Sequence, residues 1–333
     1  MQVALLARGL AARGHHVVIA GGADCPESAE WEGVRIRRAG RFDTGGFGDS
    51  LGSLPRLARI VRGERPDFLV IYGWTGWLAV VCAFRPVWKT RVVFVCALDG
   101  EIDGSFRAAN PVRGWLFERG MRMADARMAI TEAQARAFHA RGMSCSVTRL
   151  LLQRQPPASQ TEKNVDLLWV ARGHPVKRPE LFLDLAAGFP EARCRMICSR
   201  QDPVLWEPLV RRAESMPQVE FLAGVPYREI QSHFDASRVF VNTSEDEGVP
   251  NTFLHAARGG CAVASLRSDP DGMFAKFGGG FSAGGDFHVL CSGIHTLLGD
   301  PDAALRAREG AARFLAGWHD NERNIDAFLA GLS

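Results

Sequence analysis

The feature that most constrains the fold of this chain is a regular alternation between short apolar runs and segments with helical spacing. Runs such as 67–73, DFLVIYG, and 90–97, TRVVFVCA, are each followed by an amphipathic stretch. Apolar strands that alternate with helices are typical of a parallel sheet covered on both faces. The pattern therefore predicts an α/β fold built from doubly wound domains.

A polar segment interrupts this alternation near the middle of the 333 residues. Residues 153–164, QRQPPASQTEKN, are rich in proline and polar side chains, which is typical of a linker. We predict a first domain over 1–152 and a second over 165–312. The last segment, 313–333, is predicted as a helix that packs back towards the first domain.

Composition excludes several classes of function. The chain is 47% hydrophobic and 23% charged with a formal net charge of +3, which is typical of a soluble globular protein and gives no support for nucleic-acid binding. None of the eight cysteines forms a CxxC pair, which favours a reducing compartment. No signal-peptide pattern or apolar run of membrane-spanning length is visible. These features predict a cytoplasmic protein.

Two cations follow the first strand predicted in the second domain. Arg172 stands at the carboxyl end of the run VDLLWVAR, and Lys177 lies five residues later, before a helix that begins near Pro179. An arginine fork and a lysine point charge could together hold a diphosphate. The alternative is an ordinary solvated loop.

A second polar loop follows a later strand, in the stretch 242–265, NTSEDEGVPNTFLHAARGGCAVAS. Three acids, 245–247, precede a short loop and a helix-like run. The amides at a helix N-terminus form an anion site. Acids there could be ordinary helix caps, or they could serve a ligand that carries both a phosphate and a hydroxyl-rich group. Both readings stay open on these residues alone.

Taken together, these two motifs resemble the donor domain of the retaining family 4 glycosyltransferases (glycosyl transferases group 1). The stretch ADARMAITEAQARAFHARG is similar to the last strand and helix of that family's first domain. The resemblance implies the GT-B architecture, with two doubly wound Rossmann-like domains that face each other across a cleft. It also implies a donor that is a nucleotide-diphosphate sugar.

The resemblance assigns roles to residues that match the family motif. Glu247 matches the acid that contacts the sugar, and Arg172 and Lys177 match the phosphate-binding cations. These three form the predicted catalytic set. The other predicted donor-binding residues lie in the loop and helix after Glu247, and they are Gly248, Val249, Asn251, Thr252 and His255.

The sequence departs from the family in three places. His255 stands where the family has a second acid, and a histidine cannot grip a ribose diol as a carboxylate does. Leu98-Asp99 stands where the family often has His-Asp. The family's usual first strand and glycine-rich loop are not present before the helical stretch QVALLARGLAARG. The first domain is therefore expected to lack its first strand.

Residues on the acceptor side are predicted from position alone. Trp74, Asp99 and Glu101 follow strand-like runs of the first domain, where Trp74 could stack on an acceptor sugar or could simply pack in the core. Basic residues of this domain could rest on an anionic membrane, although ordinary solvated charges are the alternative reading. They are Arg35, Arg37, Arg38, Arg56 and Arg59.

The function implied is a metal-independent retaining glycosyltransferase of polysaccharide or glycoconjugate synthesis. It would move a sugar from a nucleotide-diphosphate donor to a glycan or lipid-linked acceptor, with no cofactor and no nucleic-acid partner. The dipeptide turn chemistry around Asp269-Pro270-Asp271 favours a turn over a metal-binding DxD motif. The alternative function is a weak or inactive truncated homologue that binds a nucleotide sugar or a protein partner. A peripheral location at the inner membrane surface would accompany a lipid-linked acceptor.

Overall fold

The computed structural model describes residues 1–22, 25–40, 53–153 and 162–332. Its contacts divide the chain into two compact units, Met1–Gln153 with Asn321–Ser333, and Arg154–Asp320. Most of the predicted linker, 153–164, lies outside the described residues.

The first unit contains seven described strands in two sheets. Its elements are α1 (Gln2–Ala11), β1 (Val18–Gly21), β2 (Ser28–Trp31), β3 (Val34–Arg38), α2 (Ser53–Glu64), β4 (Phe68–Tyr72), α3 (Leu78–Trp88), β5 (Arg91–Val95), α4 (Ser105–Ala109), α5 (Pro111–Met123), β6 (Ala126–Ala129), α6 (Glu132–Ala140) and β7 (Ser146–Val147). The sheet orders are β1-β3-β2 and β4-β5-β6-β7, and every pair is parallel except β2 with β3. As predicted, this unit opens in a helix.

The sequence pattern did not predict β2. This strand forms an antiparallel hairpin with β3 through Glu32 and Gly33, both of which have positive φ angles, 49° and 78°. Two successive positive φ angles are typical of a type I′ turn, which suits the twist of a hairpin. The hairpin adds one antiparallel strand at the edge of the predicted parallel arrangement, because a two-residue turn reverses the chain.

The core of the first unit is formed around β5 by α3 and α5. Phe94 on β5 packs edge-on against Phe117 of α5, and both are essentially inaccessible. The two helices approach closely at Gly120, where an added Cβ would lie 2.6 Å from the backbone nitrogen of Ala79. A larger residue at this position would force the helices apart.

The described part of the second unit forms one sheet of six parallel strands. Its elements are β8 (Val165–Gly173), α7 (Pro179–Ala187), β9 (Cys194–Arg200), α8 (Pro203–Glu214), β10 (Val219–Leu222), α9 (Ile230–Asp235), β11 (Ser237–Asn242), α10 (Asn251–Arg258), β12 (Ala262–Ser265), α11 (Met273–Phe277), β13 (Gly280–Ser282), α12 (Phe287–Gly299) and α13 (Pro301–Trp318). The strand order is β10-β9-β8-β11-β12-β13. This order places β8 and β11 side by side in the middle of the sheet.

The segment 313–333, predicted as one helix, contains the end of one helix and the whole of the next. After α13 ends at Trp318, α14 (Asn321–Ala330) begins, and the side-chain amide of Asn321 both donates to and accepts from the backbone of Leu152. α14 also packs on α1 and β7 of the first unit. The predicted boundary at 312/313 falls inside α13, and contacts assign residues to the first unit only from Asn321.

Candidate active site

The central strands of the second unit deliver two loops to the same edge of the sheet. β8 and β11 are adjacent and parallel, so their carboxyl ends lie together. After β8 the chain forms a 3₁₀ turn, Pro175–Lys177, and after β11 a loop leads to α10. The backbone N–H of Glu245 donates to the carbonyl of Val176 over 2.9 Å. The two loops are therefore joined by a direct hydrogen bond.

A buried threonine ties the same loops to the core. The indole Nε1 of Trp169 on β8 donates to Thr243 Oγ1 over 2.9 Å, and that hydroxyl donates in turn to the carbonyls of Lys177 and Arg178. Thr243 has no solvent exposure. Sequence reasoning missed this residue, although a polar side chain directly after a buried strand was a usable signal.

Two predicted catalytic residues make an ion pair across these loops. Lys177 Nζ lies 2.5 Å from Glu247 Oε1, and each side chain is only about 15% exposed. The same oxygen accepts a hydrogen bond from Ser244 Oγ over 2.7 Å. Within the described residues, Oε2 of Glu247 has no hydrogen-bond partner. The carboxylate is thus fixed through one oxygen and keeps the other available for a donor group.

Arg172 lies at the end of β8 and remains a solvent-exposed cation. It is the residue before the last one in the strand, opposite Ser199 of β9. Its guanidinium has no ion pair or hydrogen bond to any of the residues that the structure describes. An exposed arginine at a strand's carboxyl end keeps its full set of donors for an anion.

A second ion-pair cluster stands beside the first. Glu245 binds Arg178 through one oxygen and Arg267 through the other, with 2.7 Å between Arg267 Nε and Glu245 Oε2. Arg178 also contacts Glu180, and this hydrogen bond is the main cause of its raised pKa. Arg267 follows β12, so a third loop reaches this edge of the sheet. Sequence reasoning assigned no role to Glu245 or Arg267.

The predicted amide donors lie where α10 begins. Pro250 is the N-cap residue, and no side-chain oxygen caps this end of the helix. Asn251 and Thr252 form the first turn, while Gly248 and Val249 lie in the loop just before it. Amides of a first helical turn have no partner within the helix and point outward from its end. This geometry suits an anion.

His255 is buried one turn further along the same helix. Its Nδ1 lies 2.8 Å from the side-chain oxygen of Gln231, so Nδ1 carries the proton and Nε2 can accept from the hydroxyl of Tyr227 at 3.3 Å. The ring also stacks on Phe234. Burial lowers the pKa of His255 to about 4. The histidine is therefore neutral and fixed by its neighbours, and its predicted role in donor binding stays a prediction.

In the first unit, Glu101 anchors the carboxyl ends of two strands. Its Oε1 accepts from the amide of Trp74 and its Oε2 from the amide of Ala97, both over 2.8 Å, with a longer contact from Leu98. The side chain is 7% exposed, and burial raises its pKa. Both carboxylate oxygens are thus used to hold backbone, which is the arrangement of a structural residue.

The other two acceptor-side predictions lie next to Glu101. Asp99 Oδ1 accepts from the side-chain amide of Gln134 over 2.9 Å. The ring of Trp74 packs against the ring of Phe106, with 5.0 Å between the ring centroids, which fits the core-packing alternative. The structure brings Trp74, Asp99 and Glu101 together, but their role in acceptor binding stays a prediction.

Asp269 and Asp271 belong to a turn. The residues 270–272 form a 3₁₀ turn with Asp271 at a φ of 53°, and Asp269 Oδ1 accepts from the amide of Phe274. Residues 270–272 therefore form the turn that the sequence predicts, and the Asp269 carboxylate accepts a backbone amide at the start of α11.

One protein-family model matches the amino-terminal part of the chain. Residues 1–152 match the model described as glycosyl transferase 4-like domain. The first unit is a glycosyl transferase 4-like domain. A search of curated proteins found no match for the chain.

The whole chain is similar in fold to solved structures. Sucrose-phosphate synthase from Thermosynechococcus elongatus is 18% identical, with a TM-score of 0.79 over 99% of this chain and 91% of that one. A trehalose-phosphate synthase (UDP-forming) from Burkholderia vietnamiensis is 15% identical, with a TM-score of 0.71 over 95% and 93%. HepE from Anabaena, in complex with UDP and glucose, is 19% identical, with a TM-score of 0.68 over 90% and 85%.

These findings confirm the predicted family and fold. Residues 1–152 match the glycosyl transferase 4-like family, and the two α/β units have the fold of GT-B glycosyltransferases. Among the helices in the described ranges, none has both the length and the apolar character that a membrane crossing requires.

Proposed function

We propose that this glycosyltransferase moves a sugar from a nucleotide-diphosphate donor with retention of the anomeric configuration. The observation that carries the proposal is the ion pair between Lys177 Nζ and Glu247 Oε1, which lie 2.5 Å apart. It brings a cation and a carboxylate together in the loops that precede the N-terminus of α10. Arg172 supplies a second cation at the carboxyl end of β8, the strand that precedes the turn with Lys177. Solved structures of similar fold hold UDP, or UDP with glucose, which supports a nucleotide-sugar donor.

Each group has a role that follows from its charge. The second oxygen of Glu247, Oε2, accepts hydrogen bonds from hydroxyl groups of the transferred sugar. The diphosphate lies against Arg172, Lys177 and the first-turn amides of α10, assisted by Gly248 and Val249. Lys177 keeps ammonium protons beyond the one that faces Glu247, so it can bind both the acid and a phosphate oxygen.

The chemical step breaks the bond between the anomeric carbon and the diphosphate oxygen. The bonding electrons go to the diphosphate, whose growing charge is stabilised by the two cations and the helix amides. The acceptor hydroxyl attacks on the face that the diphosphate leaves, and its proton passes to a diphosphate oxygen. This sequence needs no protein nucleophile and no resident metal.

The acceptor is assigned to the first unit, near Trp74 and Asp99. We propose a glycan or lipid-linked acceptor of polysaccharide or glycoconjugate synthesis, handled by a cytoplasmic enzyme that can rest on the inner membrane surface. The support is the placement of these side chains at the carboxyl ends of β4 and β5, where ligands bind in doubly wound folds.

Calorimetry with a panel of nucleotide sugars tests the donor site. One donor should bind the wild-type chain, and Arg172→Ala and Glu247→Ala should each weaken its binding at least tenfold. Arg211→Ala and Glu214→Ala provide matched controls, because these exposed residues lie at the far end of α8. Unchanged affinity in both site variants would contradict the assignment.

Product analysis tests the chemistry and the metal requirement. NMR of the product should show the donor's own anomeric configuration, and activity should survive dialysis against EDTA. An inverted product would refute retention, and activity restored only by a divalent cation would refute metal independence. A wild-type chain that binds no nucleotide sugar would favour the alternative of a non-catalytic homologue.

A further inference from the structure

Two helices of the first unit expose large apolar side chains to solvent. Phe84 and Val87 on α3 are 48% and 65% exposed, and Val112 and Trp115 on α5 are 74% and 53% exposed. Single exposed apolar residues are ordinary on a protein surface, whereas a group of them marks a surface that binds a partner or a membrane. These four residues form such a group if both helices expose them on the same side of the unit.

The helices α3 and α5 lie side by side and run in the same direction. The thiol of Cys82 donates to the carbonyl of Gly120, and three residues further along both helices Arg85 donates to the carbonyl of Met123. α3 connects β4 to β5, and α5 ends the connection from β5 to β6, which are neighbours in that order. Because crossovers between parallel strands are right-handed, both helices cover the same face of the sheet.

On α5 the exposed residues lie opposite the buried ones. Gly114, Phe117 and Met121 are buried against the core. After the first residue of the helix, the exposed positions follow at intervals of three or four residues, and they are Val112, Trp115, Arg119 and Arg122. This spacing places them on a single stripe that points away from the sheet.

The helix α3 has the same arrangement. Val81 and Cys82 are buried, whereas Phe84 and Val87 lie on the opposite side of the helix, and the ring of Phe84 stacks on that of Trp88. The exposed stripes of both helices therefore point away from the sheet that they cover. We call this outer surface, with residues 84, 87, 112, 115, 119 and 122, the α3–α5 surface.

The α3–α5 surface also carries positive charge. The helices α3, α4 and α5 contain a single acid, Glu118, and five arginines, which are Arg85, Arg107, Arg113, Arg119 and Arg122. Glu118 forms an ion pair with Arg107, and Arg85 forms one with Asp125. Arg119 and Arg122 are exposed and form no ion pair with any residue that the structure describes. Two cations therefore follow the exposed tryptophan on the same stripe.

We propose that the α3–α5 surface docks on an anionic lipid bilayer, a proposal that deepens and rests on the proposed transfer to a lipid-linked acceptor. Phe84 and Trp115 would enter the boundary between head groups and acyl chains, where aromatic side chains are favoured. Arg119 and Arg122 would contact anionic head groups, which attract basic side chains at the membrane surface.

The charge of this surface favours a bilayer over a second copy of the chain. In a two-fold symmetric dimer the surface would face its own equivalent, so the cations of one copy would oppose those of the other. An anionic bilayer is complementary in both respects, because it offers negative head groups above an apolar interior.

The position of the surface suits an acceptor that is anchored in a membrane. Phe106 of α4 packs against Trp74, with 5.0 Å between the ring centroids, and α4 packs in turn on α5. The 3₁₀ turn with Asp99 and Glu101 also contacts α4. A bilayer on the α3–α5 surface would thus lie one helix away from the residues assigned to the acceptor.

The basic residues of β3 are less suited to this contact. Arg35 and Arg37 both lie close to Glu64, with nitrogen–oxygen distances of 2.6 and 3.6 Å. Arg38 donates to the backbone carbonyl of Cys25. Because these cations are partly neutralised or bonded within the fold, we place the membrane contact on α3 and α5 instead.

Vesicle sedimentation tests the proposal. Vesicles with about one third phosphatidylglycerol in phosphatidylcholine should bind the wild-type chain at least tenfold more tightly than vesicles of phosphatidylcholine alone. Two double variants, Phe84→Ser with Trp115→Ser and Arg119→Glu with Arg122→Glu, should each weaken this binding at least tenfold. All four residues are exposed, so the variants should keep the melting temperature of the wild-type chain.

Two controls locate the contact. Val204→Ser with Leu305→Ser changes two residues of the second unit that are at least as exposed, and it should leave vesicle binding unchanged. Lipids with brominated acyl chains quench the emission of a tryptophan that reaches them. Trp115→Phe should bind these vesicles but lose most of the quenching, whereas Trp206→Phe, in the second unit, should keep it.

The outcomes separate this proposal from the proposed function. Undiminished binding to anionic vesicles in both double variants would overturn the docking surface, as would a wild-type dimer that only these variants dissociate in sedimentation velocity. A wild-type chain that binds a nucleotide sugar but no vesicles would contradict the docking surface alone. One that binds vesicles through this surface but no nucleotide sugar would contradict the proposed function alone.

Discussion

Lys177 and Glu247 are separated by seventy residues in the chain, yet Nζ and Oε1 lie 2.5 Å apart. The contact joins the loop after β8 to the loop after β11, and Ser244 Oγ holds the same carboxylate oxygen. Both side chains are largely buried, so water and salt screen this ion pair less than they would screen an exposed pair. Its strength can be measured independently of any substrate.

We expect a measurable coupling energy between these two residues. Lys177→Met and Glu247→Gln should each lower the free energy of unfolding of the second unit by about 1–3 kcal/mol, because each leaves a partly buried charge or amide without its partner. The double variant should lose less than the sum, with a coupling of about 1–2 kcal/mol in urea unfolding.

An exposed ion pair in the same unit provides the control. Arg212 and Asp184 lie 2.6 Å apart, but both side chains are about 40% exposed. A cycle with Arg212→Met and Asp184→Asn should give a coupling of about 0.2–1 kcal/mol. A Lys177–Glu247 coupling no larger than this value would contradict the role of burial.

Thr243→Val should destabilise the site while keeping the shape of the side chain. The change removes the hydroxyl that accepts from Trp169 and donates to the carbonyls of Lys177 and Arg178. The free energy of unfolding should fall by about 1–3 kcal/mol, because a buried indole N–H loses its acceptor. Nucleotide-sugar binding should weaken as well, since the loop that carries Lys177 is released. Thr243→Ser keeps the hydroxyl and should recover most of both losses.

His255 should make the second unit less stable in mild acid. Burial lowers its pKa in the folded state to about 4, whereas the unfolded value is about 6.5. A histidine with a lowered folded pKa contributes its full stability above pH 6.5 and loses it as the pH falls towards 4. The loss is about 3 kcal/mol over that range, because protonation must occur in a buried site.

A variant separates this effect from other titrating groups. Burial also lowers the pKa of His233, so the wild-type curve contains a second contribution of the same sign. His255→Gln removes only the first, and its unfolding free energy should vary less with pH between 6.5 and 4 than that of His233→Gln. Identical pH profiles for the wild-type chain and His255→Gln would show that His255 does not titrate as expected.

Glu101→Gln should reveal whether this residue is structural. Both carboxylate oxygens accept backbone amides, so a side-chain NH₂ would face at least one donor. The free energy of unfolding of the first unit should fall by about 1–3 kcal/mol. Asp103→Asn is the control, because that exposed carboxylate accepts, among the residues that the structure describes, only the amide of Ser105. A variant with unchanged stability but strongly reduced transfer would instead place Glu101 in acceptor binding.

The sequence by itself determined the alternation of elements and the two loops that carry the site. Parallel strands that are buried on both faces have nearly continuous apolar sequences. Strands such as β8 and β11 can therefore be identified from the sequence. Their carboxyl ends had to share an edge, and that rule predicted that Lys177 and Glu247 would lie close together. The sequence did not predict the hairpin of β2, because two residues of turn geometry are a weak local signal.

Tertiary structure decided how each polar side chain is used. The same carboxylate type holds backbone amides at Glu101 and a lysine at Glu247, and only the neighbours brought by folding distinguish these uses. His255 is likewise buried and neutral because it packs on Phe234 and hydrogen-bonds with Gln231 and Tyr227. These three residues lie more than twenty positions earlier in the chain. Hydrogen bonds and desolvation depend on distances that local sequence does not fix.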